Sequence, residues 1–537
     1  MKNSPLATLI TLQSLAAALI FTASAQASSN QVDHEVLIRL NRPQNSTQQA
    51  VETLSSVAVN SGLQSLTRQL LRAESTLASL SASSEIQVKL PKNFPVQILN
   101  REEGIVRLRL PSNVSLAEAL ATLNQQNEVL NVAKNRLYRP SLHLVPHTET
   151  RDALIQSRLM PSALEESTSA TPPVHAIPNV LLPTPQARGP DALLGSDWAM
   201  RAIGIAEAQW NSVQGKPTVT AAVIDTGVDY NHEDLIGAMW RKRGNPTEVG
   251  YDFAHNNAKP YDLRVFDVEG CLKDPMCSGG FDQSQFLANP GHGTHCAGHV
   301  AAVAGNSVGI RGVAAGSQVM ALKFFFDAGE ENGGAGSDAG AIQSIDYAIK
   351  NGAKVINASW GGNGSREDAE ESELKAALVR AQKAGVIVVI AAGNDSRDND
   401  NDETPNWPAS YELDNIITVA AMNSKDELAD FSAYGARTVH IGAPGVKIFS
   451  TIAGGGYDDV VARYKGSDGQ IQTMDWDGTS MAAPMVAGAV TAVWSKYPSL
   501  NYKQVRARIL SSARKVPSLS GKVSSGGVLD LGAALKD

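Results

Sequence analysis

Gly478-Thr479-Ser480-Met481-Ala482-Ala483-Pro484 stands near the end of a 537-residue chain and runs directly into an apolar stretch, Met485 to Val493. The pattern predicts a buried helix over 481–494 with a serine at its first turn. Backbone N–H groups there lack intrahelical partners, and together with the helix dipole they favour negative charge. That is a place to stabilise an oxyanion. The commoner use of a Thr or Ser before an apolar run is to cap the helix, and these seven residues alone favour that use.

Working outward, strands and helices alternate from Asp191 onward. Val219–Ile224, Val319–Lys323, Val355–Ile356, Val386–Ile390 and Ile416–Ala420 read as strands. His292–Val303, Ala341–Lys350 and Glu371–Ala384 read as helices between them. This order predicts an α/β domain, a doubly wound and mostly parallel sheet with helices on both faces. Ligands then belong at the carboxyl ends of the strands.

Asp225 immediately follows the first of these strands, in Ile224-Asp-Thr-Gly-Val-Asp-Tyr-Asn-His-Glu-Asp-Leu235. His292 opens a helix in Gly291-His-Gly-Thr-His-Cys-Ala-Gly298. One acid, one imidazole and one hydroxyl are thus expected at one edge: a weak nucleophile, a base to activate it, and a carboxylate to orient the base. Rival chemistries fail on the same residues. Asp225-Thr226-Gly227 matches an aspartic-protease triplet, but no second triplet exists to share the proton. The α/β-hydrolase order needs a histidine after the serine, and the last histidine is His440. His292, His295 and His299 lack the spacing and the glutamate of a zinc protease.

The chain before Asp191 has a different character. Lys2, the apolar run Leu6–Thr22 and Ala25-Gln26-Ala27 read as a secretory signal over 1–27. It is too polar for a comfortable membrane span, and no other stretch is long enough for one. Residues 28–145 read as a small α+β unit of ferredoxin-like order: a strand at 34–40, helical spacing over 48–73, a hairpin at 96–110, a helix at 116–125 and a strand at 129–133. Residues 146–190 carry Pro161, Pro172, Pro173, Pro178, Pro183, Pro185 and Pro190, a linker composition open to cleavage. The catalytic domain is then 191–537.

A net charge of −8 gives no support for a nucleic-acid partner. The charge is uneven: 12 Lys+Arg face 9 Asp+Glu in residues 28–145, against 33 and 45 in residues 146–537. The first part is therefore drawn weakly to the second. In an exported chain, Cys271 and Cys277 suggest a local disulfide that staples one loop. Cys296 is left over inside the His292 segment.

The three segments around Asp225, His292 and Ser480, in that order, resemble the subtilisin family of serine proteases. The resemblance spans about 191–537 and, more loosely, the part before it. It implies Ser480 as nucleophile, His292 as general base and later acid, and Asp225 as the carboxylate that orients His292. Ala391-Ala392-Gly393-Asn394 resembles the family's oxyanion segment, which gives Asn394 that role beside the Ser480 N–H. Asn357-Ala-Ser-Trp-Gly-Gly362 and Gly334-Ala335-Gly336 resemble the two walls along which a substrate backbone pairs. Gly334, Ala335, Gly336, Ser359, Trp360 and Gly361 are the implied substrate contacts, with Trp360 reshaping the primary pocket and Asp395 biasing it toward basic side chains. A free thiol such as Cys296 behind the histidine implies sensitivity to heavy metals. The resemblance also implies structural Ca2+ held by Asp191, Asp234, Val303, Asn306, Val308 and Ile310, since hard oxygen ligands suit that ion. It implies that residues 28–145 form an inhibitory propeptide, cut away between about Arg139 and Asp191. The expected product is a monomeric, secreted endopeptidase (extracellular or periplasmic) acting on proteins and peptides. The non-enzymatic alternative, a degenerate peptide-binding scaffold, requires a lost triad or oxyanion residue, and none is missing.

Overall fold

The computed structural model describes residues 31–81, 94–143, 145, 147–148, 191, 193, 197–205, 213, 215–262, 289–327, 330, 332–465 and 471–536. The signal segment, nearly all of the Pro-rich stretch and the Cys271–Cys277 pair lie outside them. Among the described residues, no helix is long and apolar enough to cross a membrane.

The N-terminal unit runs β1 (Gln31–Leu40), α1 (Thr47–Ser61), α2 (Gln64–Ser81), β2 (Val96–Asn100), β3 (Ile105–Arg109), α3 (Leu116–Leu123) and β4 (Val129–Pro140). Its strands lie in the order β4-β1-β3-β2 with antiparallel neighbours. The helical spacing expected over 48–73 is split into two helices. Gly62 takes φ 75°, caps α1 and turns the chain into α2. Val36, Ile38 and Leu40 alternate into a core closed by Leu54, Leu66 and Leu123 from the three helices. The opposite face, through Leu37, Leu99 and Ile105, is buried against the second domain instead. Both faces of this small sheet are therefore covered, the second one only by docking.

The second domain is built on nine strands: β5 (Thr220–Asp225), β6 (Gly250–Asp252), β7 (Gln318–Lys323), β9 (Val355–Ala358), β11 (Ile387–Ala391), β13 (Ile416–Met422), β14 (Ile441–Pro444), β15 (Arg514–Lys515) and β16 (Gly527–Val528). Their order is β15-β16-β14-β13-β11-β9-β5-β7-β6, parallel throughout except for β15. Alternate residues feed two cores. Ala221, Val223, Val389 and Ala391 face α4 (His292–Ala301) and α7 (Thr479–Lys496), while Ala222, Ile224, Val388 and Ile390 face α5 (Asp338–Lys350) and α6 (Glu373–Lys383). A sheet buried on both faces has no polar side to show, which is why these strands read as continuous apolar runs.

Two short strands, β8 (Gly336–Ser337) and β10 (Trp360–Asn363), stand beyond the sheet's carboxyl edge, and β4 lies between them. Leu137 and Tyr138 pair with Ser337 and Gly336, while Arg139 and Pro140 pair with Gly361 and Trp360. The far side of β10 pairs with β12 (Asn406–Trp407). The charge asymmetry becomes specific contact: Arg39 meets Glu373 at 2.5 Å, Lys134 meets Asp368 at 2.9 Å and Arg136 meets Asp338 at 3.1 Å. The half-exposed Lys134 pair adds at most about 1 kcal/mol, while the Arg136–Asp338 pair is buried beside the apolar face and the β4 ladder.

Candidate active site

Asp225 is the last residue of β5, and its Oδ1 lies 2.7 Å from His292 Nδ1, both side chains fully buried. The same oxygen accepts the Thr226 N–H at 2.7 Å, and Thr226 Oγ1 accepts the Gly293 N–H at 2.9 Å. The start of α4 is thereby tied to the turn after Asp225. A Cβ on Gly293 would stand 2.1 Å from Gly227 O, so only glycine permits this approach. Burial opposes the His292 cation, but the adjacent Asp225 carboxylate prevails and raises its pKa well above the ordinary 6.5. His292 Nε2 has no hydrogen-bond partner among the described residues.

The expectation that Thr479 or Ser480 caps α7 is not met. The cap position is Gly478, with no side-chain cap bond, and both hydroxyls lie inside the first turn. Thr479 Oγ1 instead donates to Asn394 Oδ1 at 2.9 Å and accepts the Gly393 N–H at 3.1 Å. Pro484 removes the N–H that would have bonded the Ser480 carbonyl in the helix ladder. That carbonyl is satisfied from outside the helix, by Ser359 Oγ at 2.9 Å and by the Cys296 thiol at 3.6 Å. Burial raises the Cys296 pKa and keeps the thiol protonated. Its Sγ is 3.9 Å from His292 Nδ1, so Asp225, His292 and Cys296 form a tight buried trio whose ligand atoms lie within 4.8 Å of one another.

Ser141, the residue after β4, occupies the remaining space. Its N–H donates to Ser359 O and its carbonyl accepts the Ser480 N–H, each at 3.1 Å. Beyond it, His143 N–H donates to Asp477 O at 2.7 Å, and the His143 ring stacks on Phe431 at 4.3 Å. Ser480 Oγ donates to Ser359 O at 2.7 Å. Asn394 Oδ1 is fixed by Thr479 N–H and Oγ1, both at 2.9 Å, and Asn394 Nδ2 is buried without a partner. The Cβ that Gly478 lacks would lie 2.4 Å from Ser141 O and 3.2 Å from Asn394 Nδ2, so the amide and the carbonyl flank the same small space.

The two segments expected as walls lie on either side of β4. Gly334, at φ 72°, and Ala335 form the turn that leads into β8, and pairing begins at Gly336. Trp360 does not face the residue at Ser480. Its Nε1 donates inward to Ile224 O at 2.8 Å, and its ring packs between Phe324 and Tyr138. Asp395 is already held by Arg397 at 2.5 Å and by the Asn363 and Asn406 amides, which removes the reason to expect it to select basic side chains. His295 bonds Ile448 O and stacks on Trp476, while burial lowers the His299 pKa to about 3. Both are neutral packing groups. Two supports were not anticipated. Lys323 Nζ donates to Thr226 O at 2.7 Å, and Asp262 Oδ2 accepts from Thr294 N and Oγ1. No local pattern marks either residue, because each acts through a turn distant in sequence.

The proposed calcium residues do gather. Asp191 Oδ1 accepts the Gly305 and Asn306 N–H groups at 2.6 and 3.2 Å. Asp234 accepts Asn306 Nδ2 at 2.7 Å and Ile310 N–H at 2.9 Å, and its carbonyl accepts Val303 N–H. Asn306 Oδ1 accepts Val308 N–H at 3.0 Å. Burial pushes the Asp234 pKa up to about 7, with the Asp191 charge adding to it. Two desolvated carboxylates from separate segments, both set against the loop 303–310 and served mainly by neutral donors, fit a divalent cation.

An acid, an imidazole and a hydroxyl set on three elements at the carboxyl edge of a doubly wound sheet define the serine-hydrolase class of site. Residues 216–527 match the subtilase family model, and the chain belongs to the subtilase family. Subtilisin DY of Bacillus licheniformis is 38% identical over 294 residues, which is 55% of this chain and 92% of that protein. A thermophilic serine proteinase of Bacillus sp. (strain AK1) is 34% identical over 307 residues, 57% of this chain and 59% of that protein. The structure of fervidolysin from Fervidobacterium pennivorans, a keratinolytic enzyme related to subtilisin, is similar with a TM-score of 0.58 at 23% identity, over 94% of this chain and 61% of that one. The last likeness is one of fold. The chain thus spans about three fifths of the thermophilic proteinase's length and nearly all of subtilisin DY.

Proposed function

We propose that this chain is a secreted, calcium-stabilised serine endopeptidase, made as a zymogen whose ferredoxin-like N-terminal unit blocks the cleft and is removed by the enzyme's own first cut. The observation that carries this reading is the Ser141 carbonyl on the Ser480 N–H, with the Ser141 N–H on Ser359 O. That carbonyl is held as a reacting one would be, so the first bond to break is Ser141–Leu142.

In the reaction, Ser480 Oγ turns from Ser359 O toward the open His292 Nε2, gives up its proton there and attacks the carbonyl carbon. Asp225 holds the Nδ1 proton and offsets the imidazolium charge. The Ser480 N–H and Asn394 Nδ2 take the oxyanion. Collapse expels the amine of Leu142, protonated by His292, and water then releases the acyl group from Ser480. Mass spectrometry of the released fragment should end it at Ser141; a first cut at any other bond contradicts the register.

The base must be neutral to work, and Asp225 raises its pKa. Activity should be full above that pKa and fall as pH drops through it. The acid limb of kcat/KM on a peptide substrate is therefore expected above pH 6.5; a limb at or below that value would contradict the Asp225–His292 coupling.

Asp191, Asp234, Asn306 and the carbonyls of Val303, Val308 and Ile310 would hold the calcium ion, which supplies positive charge to two buried carboxylates. Chelation with EDTA should lower the thermal midpoint on the order of 5 °C. An unchanged midpoint in calorimetry would remove the ion from the reading.

A further inference from the structure

The chain does not leave the second domain once it has passed Ser480. Leu142 packs against the core that holds α7, and His143 is fixed by Asp477 O and by the Phe431 ring. Val145 is exposed, and the chain then meets the domain a second time. His147 and Thr148 pair antiparallel with Thr473 and Gln472. Those partners belong to a hairpin of Val460–Lys465 and Ile471–Asp475, whose other edge the two residues cover to make a three-stranded sheet. Counting from Leu142 as the first residue after the bond, His147 is the sixth and Thr148 the seventh.

Resting on the endopeptidase reading, we infer that the edge of Ile471–Asp475 is a docking strand for extended polypeptide beyond the cut bond. Its first occupant is the chain's own new amino terminus, Leu142–Thr148. An open strand edge offers unpaired N–H and C=O groups, and an extended segment meets them with main-chain bonds. The partner is therefore defined by extended backbone six and seven residues past the bond, more than by its side chains. The contacts of β4 all lie before the Ser141–Leu142 bond, and those of Leu142–Thr148 all lie after it. When the bond breaks, the N-terminal unit becomes a separate molecule that dilution removes. Residues 142–148 stay joined to the catalytic domain through residues 149–190, so their return to the strand is intramolecular and dilution does not weaken it. Loss of the N-terminal unit thus frees the cleft before Ser480 and leaves the part after it filled. A second hydrolysis, beyond Thr148, clears the rest. Until then a substrate that extends past the bond competes with the tethered segment along its whole length. A peptide anilide, which ends at the bond, competes only at the place of Leu142.

The test starts from the full chain processing itself. The mature enzyme is given internally quenched peptides of sequence 137–145 and 137–148, and the longer one with both His147→Pro and Thr148→Pro. In an antiparallel pair one of two successive residues donates to the partner strand, and proline removes that N–H. From 137–145 to 137–148, kcat/KM should rise about tenfold, and the double-proline peptide should fall back to the shorter one's value. The same double substitution is then made in the full chain, with a peptide anilide reporting release of the N-terminal unit. In the parent, activity on 137–148 should lag behind activity on the anilide, and amino-terminal sequencing of the fully active form should begin beyond Thr148. In the substituted chain the two activities should rise together. If that chain does not fold, the peptide series on the parent enzyme still decides. Equal kcat/KM for 137–145 and 137–148 overturns the inference, as does a fully active parent that still begins at Leu142. A fluorophosphonate label on Ser480 separates the two failures. Labelling and anilide hydrolysis without a gain from residues 147–148 leave the endopeptidase reading standing and remove the docking strand. No labelling and no anilide hydrolysis remove both.

Discussion

Ser480→Ala should yield a full-length chain that folds, keeps its N-terminal unit and hydrolyses nothing. The substitution takes away one hydroxyl whose present bond, to Ser359 O, is a resting contact. It leaves the Ser480 backbone N–H on the Ser141 carbonyl and the Ser480 carbonyl on Ser359 Oγ. Alanine is the stronger helix former, and the site lies in the first turn of α7. The thermal midpoint should therefore stay within a few degrees of that of the uncut parent. The loss in kcat is expected to be on the order of a million-fold, a size known from a subtilisin rather than derived from this geometry. Intact-mass measurement checks the processing arm. A Ser480→Ala chain that still separates at Ser141–Leu142, in a preparation free of active enzyme, would show that some other agent makes the cut.

The places of Asp225, His292 and Ser480, the proposed catalytic residues, were legible because each sits in a contiguous stretch whose local structure fixes its placement. Asp225 ends a strand, His292 starts a helix and Ser480 starts another, so the carboxyl edge of a parallel sheet was enough to bring them together. The five inner strands of the sheet were legible from apolar runs that had to be buried on both sides, while β6, β14, β15 and β16 were not read from the sequence. What the sequence could not give was anything set by the meeting of distant segments. That Ser141 fills the cleft depends on the length of β4 and on where Leu37, Leu99 and Ile105 dock. Trp360 was expected at the primary pocket because of its place in a motif, yet the Ile224 carbonyl, a buried acceptor 136 residues away, draws its indole inward. The single helix expected over 48–73 failed on one residue. Its apolar period continues across Gly62, and only the backbone freedom of that glycine lets the chain turn.

Asn394→Ala should lower kcat by about 10²–10³ with little change in KM, again a magnitude known from a subtilisin. Here the geometry explains why the effect belongs to the transition state. Asn394 cannot present either end of its amide at will, because Oδ1 already accepts from Thr479 N–H and Thr479 Oγ1. The NH2 end is therefore turned toward the space over Gly478, where it is buried and has no partner while the Ser141 carbonyl is still planar. An unmet buried donor is costly, about 1–3 kcal/mol. The cost is relieved only when the carbonyl oxygen gains charge and moves toward it, so the interaction is realised in the tetrahedral state more than in the bound substrate. Asn394→Asp should be worse than Asn394→Ala, since it replaces the waiting donor by a second acceptor facing the oxyanion. Thr479→Val should reproduce part of the loss without touching the amide, because it frees one of the two anchors on Oδ1. Steady-state kinetics on one peptide substrate separate these cases. A fall in kcat/KM carried by KM alone, or Asn394→Asp equal to the parent, would mean that Asn394 binds substrate and does not stabilise the oxyanion.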